Sequence, residues 1–267
     1  MMAAKTEPYS VDLLKLVEVA LQDEAAIPTL EQFLVQNSNL PGPRMNLALV
    51  AAFAEIIGQI VTTPTPPVEK LEALLDSWAA LSLESAPINQ PREILPAVAV
   101  MSYGYVAVAR PDWWEDEVGK LQQAASNPRW RVREIVATAL QRMLKADWVR
   151  SYKVLVSWLE TDDPLVVRAV VAAIAEPPLL TDELRGAAAL AIQVEALKWF
   201  EKIPAKRRRE ENIQVLRKAL GYTLSVAIAA SPEPGMKYLN ELAGLPDQDI
   251  QWIVRENLKK NRLTRFL

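Results

Sequence analysis

The side chains available for chemistry in this sequence are carboxylates, lysines, arginines, tyrosines and serines, because the chain contains no cysteine and no histidine. That absence removes thiol nucleophiles, disulfides, Cys/His zinc sites and imidazole general bases together. No GxxxxGK(S/T), GxGxxG or GxSxG pattern occurs, so neither a nucleotide-binding loop nor a hydrolase nucleophile is indicated. We therefore expect no catalytic residue, no metal site and no cofactor.

A more regular signal is an arginine that directly follows Val or Leu, at Arg133, Arg168, Arg217 and Arg255. A polar residue stands six positions before each of them, at Asn127, Asp162, Glu211 and Asp249. Such arginines can bind phosphates, or they can bond to a turn carboxylate of their own or of the adjacent repeat. Arg168 lies in so apolar a segment that we expect it to be buried and paired with a nearby aspartate.

Four consecutive cations, Lys206 to Arg209, form the densest cluster of charge. Glu210 and Glu211 follow at once and can pair with them at helical spacing, so the cluster can be a solvated helix start. Four cations at a helix N-terminus nevertheless oppose the helix dipole, which leaves a binding role open.

The charge of the whole chain is uneven, although its net value is only −3. Residues 1–110 carry 6 basic and 12 acidic side chains, whereas residues 201–267 carry 13 basic and 8 acidic ones. The C-terminal part is therefore the candidate for binding an anionic partner.

The elements that position these side chains are clearest in residues 127–175, which contain the two similar segments NPRWRVREIVATAL and DDPLVVRAVVAAIA. Each has a proline at a helix start, then a Val-Arg pair, then small and branched apolar residues, which indicates a helical repeat. Apolar residues recur at helical spacing from Val132 to Met143 and define a core face, and Arg129 and Arg131 lie off that face.

Elsewhere amphipathic helices alternate with more apolar ones, which predicts an outer and an inner helix in each unit. The predicted inner helices begin near Arg44, Arg92, Arg129, Pro164, Lys206 and Asp249. We expect about 12 or 13 helices and no strand, because apolar segments separated by proline recur along the chain. The predicted fold class is all-α, a right-handed α-α superhelix of about six helix pairs. Residues 1–111 would form degenerate repeats, continuous with clear repeats over 112–267 in one solenoid.

Proline and glycine set several predicted boundaries. Pro67 is expected to open a helix that runs to about Leu81, and the loop NSNLPGPR at 37–44 is a candidate hinge. After SPEPG we expect a short outer helix at 236–242. The last inner helix, 249–262, stays charged, as a terminal cap requires.

The first 20 residues show no basic segment followed by an apolar core, so we predict no secretory signal. The longest uncharged run, Ile94 to Ala109, has 16 residues, which is short of the roughly 20 that span a bilayer. We therefore expect a cytoplasmic protein that does not associate with membranes. We also expect it to be a monomer.

The repeated Val/Leu-Arg pairs, each with its preceding polar residue, resemble HEAT repeats. The arginines are separated by 35, 49 and 38 residues, near the roughly 40 to 47 that are typical of this class. The resemblance is good over 112–267 and weak over 1–111. It implies an α-solenoid in which turn acids and inner-helix arginines bridge consecutive repeats. The implied structural ladder consists of Asn127, Arg133, Asp162, Arg168, Glu211 and Asp249.

Residues 215–242 are also similar to the last repeats of the bacterial alkylpurine DNA glycosylases that are built from HEAT-like repeats. Those enzymes line a basic concave face with aromatics and a carboxylate, and the resemblance places Tyr222 near an aromatic position on that face. Their Trp-Trp pair is followed, four residues after the second tryptophan, by a catalytic aspartate. Here the pair Trp113-Trp114 is followed at that place by Val118.

We expect a non-catalytic scaffold that binds a protein partner through the concave face of the solenoid. The alternative is a DNA-binding relative of the alkylpurine glycosylases, active or degenerate, and a separate enzymatic activity is a third alternative. The residues that would bind DNA are Lys206, Arg207, Arg208, Arg209, Arg217, Tyr222, Arg255, Lys259 and Arg262. Tyr222 lies in an apolar run, which favours its burial. A continuous basic groove would favour nucleic acid, and a mixed or acidic one would favour protein.

Overall fold

The computed structural model describes residues 10–63 and 68–266. These ranges contain thirteen α-helices and no strand, which confirms the all-α class. Pro67, which was predicted to open the fourth helix, lies outside the described residues. The chain divides into two compact units, Met1–Ala146 and Asp147–Leu267. This boundary falls inside the predicted range of clear repeats, and the continuity of one solenoid stays a prediction.

The first unit contains seven helices, and the last five of them fit the predicted alternation of inner and outer positions. They are α1 (Ser10–Gln22), α2 (Ile27–Gln36), α3 (Leu47–Ile60), α4 (Val68–Ala79), α5 (Ile94–Ala109), α6 (Trp114–Ala124) and α7 (Trp130–Ala146). α5 packs against α3 on one side and α7 on the other, while α4 and α6 flank it. Because α5 carries no charge, it can be buried along almost its whole length. The three helices α3, α5 and α7 are thus the inner layer of this unit.

The second unit repeats this arrangement with six helices. They are α8 (Trp148–Trp158), α9 (Pro164–Ile174), α10 (Glu183–Glu201), α11 (Glu211–Ala230), α12 (Pro232–Ala243) and α13 (Gln248–Leu258). α11 packs between α9 and α13, and it is flanked by α10 and α12. The inner helices of each unit therefore stack in chain order, as in an α-solenoid. Across the described residues, no helix has both the length and the apolar character needed to cross a bilayer.

Several predicted boundaries in the second unit are wrong. α12 begins at Pro232, earlier than predicted, because a proline in the first turn loses no intrahelical hydrogen bond. Gly235 lets this helix lie close to α11, where a Cβ atom would come within 2.9 Å of Ile228 Cα. The predicted helix start at Lys206 is a short 3-10 turn, and α11 begins only at Glu211. After α13, residues Asn261–Phe266 form a 3-10 helix instead of extending the α-helix.

Arg129 and Arg131 were predicted to lie away from the core face of the inner helix α7. That prediction is wrong, because both side chains are buried. Arg129 Nε donates to the Ala86 carbonyl at 2.7 Å, and Nη2 donates to the Leu81 and Ser82 carbonyls at 2.7 Å each. These carbonyls belong to the loop after α4. The arginine therefore satisfies three backbone acceptors of this loop, which no helical pattern in the sequence reveals.

Arg131 joins three segments of the first unit. Its Nη1 atom lies 3.2 Å from Glu93 Oε2, and Nη2 donates to the Gly42 carbonyl at 2.7 Å and to Asn89 Oδ1 at 3.0 Å. Asn89 also accepts from Gly42 N at 3.1 Å. The loop at 37–44, which was predicted to be a hinge, is thereby bonded both to α7 and to the segment before α5.

Candidate functional site

The structure places five of the predicted basic residues at the two ends of α11. Lys206, Arg207 and Arg209 are exposed at its N-terminal end. Lys259 and Arg262 are exposed beside its C-terminal end, where they line a groove. Because α11 has 20 residues, it is about 30 Å long. The two groups of cations therefore form two separate surfaces.

Arg208 does not belong to either surface, because its side chain is buried and only 7% exposed. Its Nε atom donates to the Ile203 carbonyl at 3.0 Å, and Nη2 donates to the Glu201 carbonyl at 3.1 Å. Nη1 pairs with Asp247, and the guanidinium stacks 4.9 Å from the ring centroid of Phe200. Arg208 thus joins the end of α10 to the loop before α13. Its burial contradicts the prediction that it contacts DNA.

Arg217 links consecutive inner helices in the manner that the ladder implies, because its acidic partner, Asp249, belongs to the next inner helix. Its Nε atom lies 2.7 Å from Asp249 Oδ1, in an ion pair that is not aligned as a hydrogen bond. Its guanidinium also lies 3.9 Å from the ring centroid of Trp252. Glu211, which precedes Arg217 in the sequence pattern, is exposed at the start of α11, and Arg255 is exposed on α13.

The pair of Asn127 and Arg133 differs from the pattern. Arg133 Nη1 donates to the backbone carbonyl of Asn127 at 2.7 Å, while the Asn127 side chain accepts from the backbone N–H two residues further on. Arg168 is buried, as its apolar helix predicted, and its pairing with a nearby aspartate stays a prediction. A sequence spacing of six residues therefore does not by itself identify the partner of an arginine.

Tyr222 is 39% exposed on α11, so the expectation of burial is wrong. The turn that carries it is held by Asn257, a fully buried residue of α13. Asn257 Nδ2 donates to the Leu220 carbonyl at 2.8 Å, and its Oδ1 accepts from Ser225 N at 2.7 Å. Both backbone groups belong to the stretch of α11 around Tyr222, so a side chain of the next inner helix fixes this part of α11.

Gly221 brings α13 close to the same turn. A Cβ atom at this position would lie 3.0 Å from the Trp252 ring, so only glycine allows the indole to pack there without displacement. Trp252 and Arg255 also line a shallow cavity of about 560 Å³. We call Tyr222 of α11 and Trp252 and Arg255 of α13, which lie on two helices in contact, the α11–α13 patch.

A second surface, the basic groove, lies at the C-terminal end of α11 and has a volume of about 730 Å³. Its lining residues are Pro177, Leu180, Val226, Ala229, Ala230, Lys259, Lys260, Asn261, Arg262 and Arg265. No described residue in this lining is acidic. Lys259 Nζ pairs with Glu256 at 2.6 Å, and Arg265 stacks on Phe266. In the described ranges, no carboxylate lies within ion-pair distance of Lys260 or Arg262.

The first unit contains a cluster of charges that surrounds Lys120. Its Nζ atom lies 2.6 Å from Glu72, 3.1 Å from Asp76 and 3.1 Å from Glu117, and Tyr103 donates to Asp76 at 2.8 Å. Each carboxylate therefore has a cationic partner, which gives the cluster a structural explanation.

The same region contains the position at which the resemblance to the glycosylases would place a catalytic aspartate, together with the two nearest carboxylates. Val118, at the position of that aspartate, is buried, and Asp116 is exposed. Burial raises the pKa of the Glu117 carboxyl to about 7, although the charge of Lys120 opposes the shift. The Glu117 carboxylate contacts Lys120, so it contributes to the fold of this unit.

We expect Glu117→Gln to become more stable relative to the wild type as the pH rises from about 5 to about 8. The folded pKa of about 7 exceeds the ordinary value of 4.5, so in this window the native chain holds a proton that the unfolded chain has released. The unfolding free energy of the wild type therefore falls as the pH rises, by up to about 2 to 3 kcal/mol at about 1.4 kcal/mol per pKa unit, whereas that of Glu117→Gln lacks this loss.

Chemical denaturation of both proteins at several pH values measures this difference in unfolding free energy. Asp116→Asn, at the adjacent exposed carboxylate, is the control and should track the wild type. A difference between wild type and Glu117→Gln that does not change with pH would contradict the assignment.

No family model and no curated protein matches this sequence. Among solved structures, one engineered protein is 16% identical over 95% of this chain and 99% of that chain, with a TM-score of 0.38. A second engineered protein is 18% identical over 93% and 95%, with a TM-score of 0.37. A designed armadillo repeat protein is 18% identical over 86% and 98%, with a TM-score of 0.33. Because these TM-scores are low, the assignment to the all-α helical-repeat class rests on the helices themselves.

Proposed function

We propose that this chain is a non-catalytic helical-repeat scaffold that binds a protein partner through the inner-helix surface of its second unit, at the α11–α13 patch. The observation that carries the proposal is the exposure of Tyr222 in the middle of an inner helix whose neighbouring positions are buried. Asn257 and Gly221 hold the turn beneath it. A large aromatic held in one place loses little conformational entropy when it binds.

The composition of the patch supports a protein partner. Tyrosine, tryptophan and arginine are the residues that most often dominate the binding energy of protein interfaces, and the patch contains one of each. The resemblance of residues 112–267 to HEAT repeats supports the same reading, because solenoids of this type expose their inner helices as binding surfaces.

Duplex DNA is the second candidate, and the observation that favours it is the exposure of Lys206, Arg207 and Arg209 at the start of α11. The charges along this surface are nevertheless mixed. Arg207 pairs with Glu210 at 2.9 Å, and Arg217 pairs with Asp249 at 2.7 Å. A surface on which carboxylates alternate with cations favours a protein partner over a polyanion.

The test is to place a photo-crosslinking amino acid at position 222, with the same substitution at Leu184 as the control. Leu184 is 83% exposed on the outer helix α10. In an extract of the cells that express this protein, we expect one defined adduct from position 222 and none from 184. With that partner purified, Tyr222→Ala and Arg255→Ala should each weaken binding about 10-fold or more.

Titration with duplex DNA at about 50 mM and about 200 mM salt examines the alternative, because phosphate contacts make affinity fall steeply with salt. The scaffold proposal expects little DNA binding at either concentration. Tight, salt-dependent DNA binding would overturn it, provided that reversing Arg207 and Arg209 to Glu weakens binding of all sequences and flattens the salt dependence.

A further inference from the structure

The basic groove has two chemically different sides. Val226, Ala229 and Ala230 of α11, with Pro177 and Leu180 from the loop after α9, form an apolar floor. The cationic wall comes from the stretch after α13 and carries Lys259, Lys260, Arg262 and Arg265. A ligand that satisfies both sides must combine negative charge with an apolar group.

The dimensions and composition of the basic groove limit the class of ligand further. A volume of about 730 Å³ falls in the range of sites that enclose a few side chains or a small molecule. None of the described residues that line the groove is aromatic, so these residues offer nucleic acid bases no stacking platform. A phosphodiester backbone would neutralise the cations but leave the apolar floor exposed to water.

We infer that the basic groove binds an acidic segment of a partner protein, with an apolar side chain of that segment on the floor and its carboxylates against the cationic wall. The inference rests on the proposed function, because it assumes that the partner is a protein. Lys260 and Arg262 are the main contacts, since Lys259 already pairs with Glu256 and Arg265 stacks on Phe266.

The groove and the α11–α13 patch lie on the same helix. Val226 follows Tyr222 by four residues, and side chains with this spacing share one face of a helix. A partner that covers Tyr222 can therefore continue along α11 to the basic groove. The apolar residue of the acidic segment would then lie against Val226 and Ala229.

The experiment uses the whole chain and a fluorescently labelled, end-capped peptide of alternating Glu and Asp with one central Leu. We expect Lys260→Glu/Arg262→Glu to weaken its binding about 10-fold or more at low salt. The matched control is Lys202→Glu/Lys237→Glu, which makes the same change in net charge at exposed sites after α10 and on α12. This control should bind like the wild type, and thermal melts should show that both double variants stay folded.

Two further probes separate the apolar contact from simple charge attraction. Replacing the central Leu of the peptide with Ser should weaken binding about 5-fold or more if the floor is used. A peptide with Lys in place of the acids should not bind. Equal weakening by the control variant, or no effect of the Leu→Ser change, would overturn the inference, because either result means that only net charge attracts the peptide.

Other occupants give other results. Duplex DNA that binds more tightly than the peptide, with the same loss in Lys260→Glu/Arg262→Glu, would overturn the inference, as would self-association that these substitutions abolish. The inference and the proposed function can fail separately. A partner that crosslinks at position 222 but binds the groove variant normally would leave the scaffold proposal standing alone. If the groove binds the peptide but position 222 crosslinks to no partner, the proposed role of the α11–α13 patch is contradicted and the inference about the groove stands.

Discussion

Replacing Arg131 with Met should destabilise the chain by about 3 to 5 kcal/mol, because it leaves a buried carboxylate without its cation. The Glu93 side chain has no solvent exposure, and that of Arg131 is only 8% exposed. The substitution also removes the donors to the Gly42 carbonyl and to Asn89 Oδ1. We expect a clear fall in the denaturant midpoint and in the melting temperature of the full chain.

Two further variants make this prediction specific. Lys145→Met removes an exposed cation from the same helix and should leave stability nearly unchanged. Adding Glu93→Gln to Arg131→Met removes the uncompensated charge, so the double variant should recover part of the loss. If Arg131→Met and Lys145→Met unfold at the same denaturant concentration, then the buried ion pair does not stabilise this unit.

The helices could be predicted from the sequence because their signals are local. Pro164 starts α9 where the proline indicated, and the uncharged run from Ile94 to Ala109 is the buried helix α5. Arg129 and Arg131 could not be placed in this way. A helical pattern relates only residues of one helix, whereas Arg131 bonds to Gly42, a residue 89 positions away in the sequence.

The same limit explains what was missed at the candidate sites. Lys259 and Arg262 were predicted to be exposed cations, and both line the basic groove. Its floor was not predicted, because Leu180 and Val226 meet only after α9 and α11 have packed together. Tyr222 lies in an apolar run that favours burial, and its exposure depends on which positions of α11 the neighbouring helices leave uncovered.

The cluster of Lys206 to Arg209 shows how neighbouring residues of similar chemistry can have different roles. In the sequence all four cations are equivalent candidates for a binding surface. In the structure Arg208 turns inward to the carbonyls of Glu201 and Ile203, while the other three remain exposed. Only the closure of the loop between α10 and α11 distinguishes them.

Arg208→Ala should therefore cost about 2 to 4 kcal/mol of unfolding free energy, because it leaves the buried Ile203 carbonyl and the part-buried Glu201 carbonyl without this donor and removes the cation from Asp247. The lower end of this range reflects the 32% exposure of the Asp247 side chain, which lets water replace part of the ion pair. Arg207→Ala, one residue earlier, removes only an exposed pair with Glu210 and should leave the melting temperature nearly unchanged.

Thermal and chemical unfolding of the two variants under one set of conditions make this comparison, and circular dichroism follows the loss of helix directly. The result also decides how binding data at this cluster are read. A loss of binding in Arg208→Ala would reflect a damaged fold, whereas a loss in Arg209→Ala would report a surface contact. Equal melting temperatures for Arg207→Ala and Arg208→Ala would contradict the burial of Arg208 and would return it to the set of exposed cations available to an anionic partner.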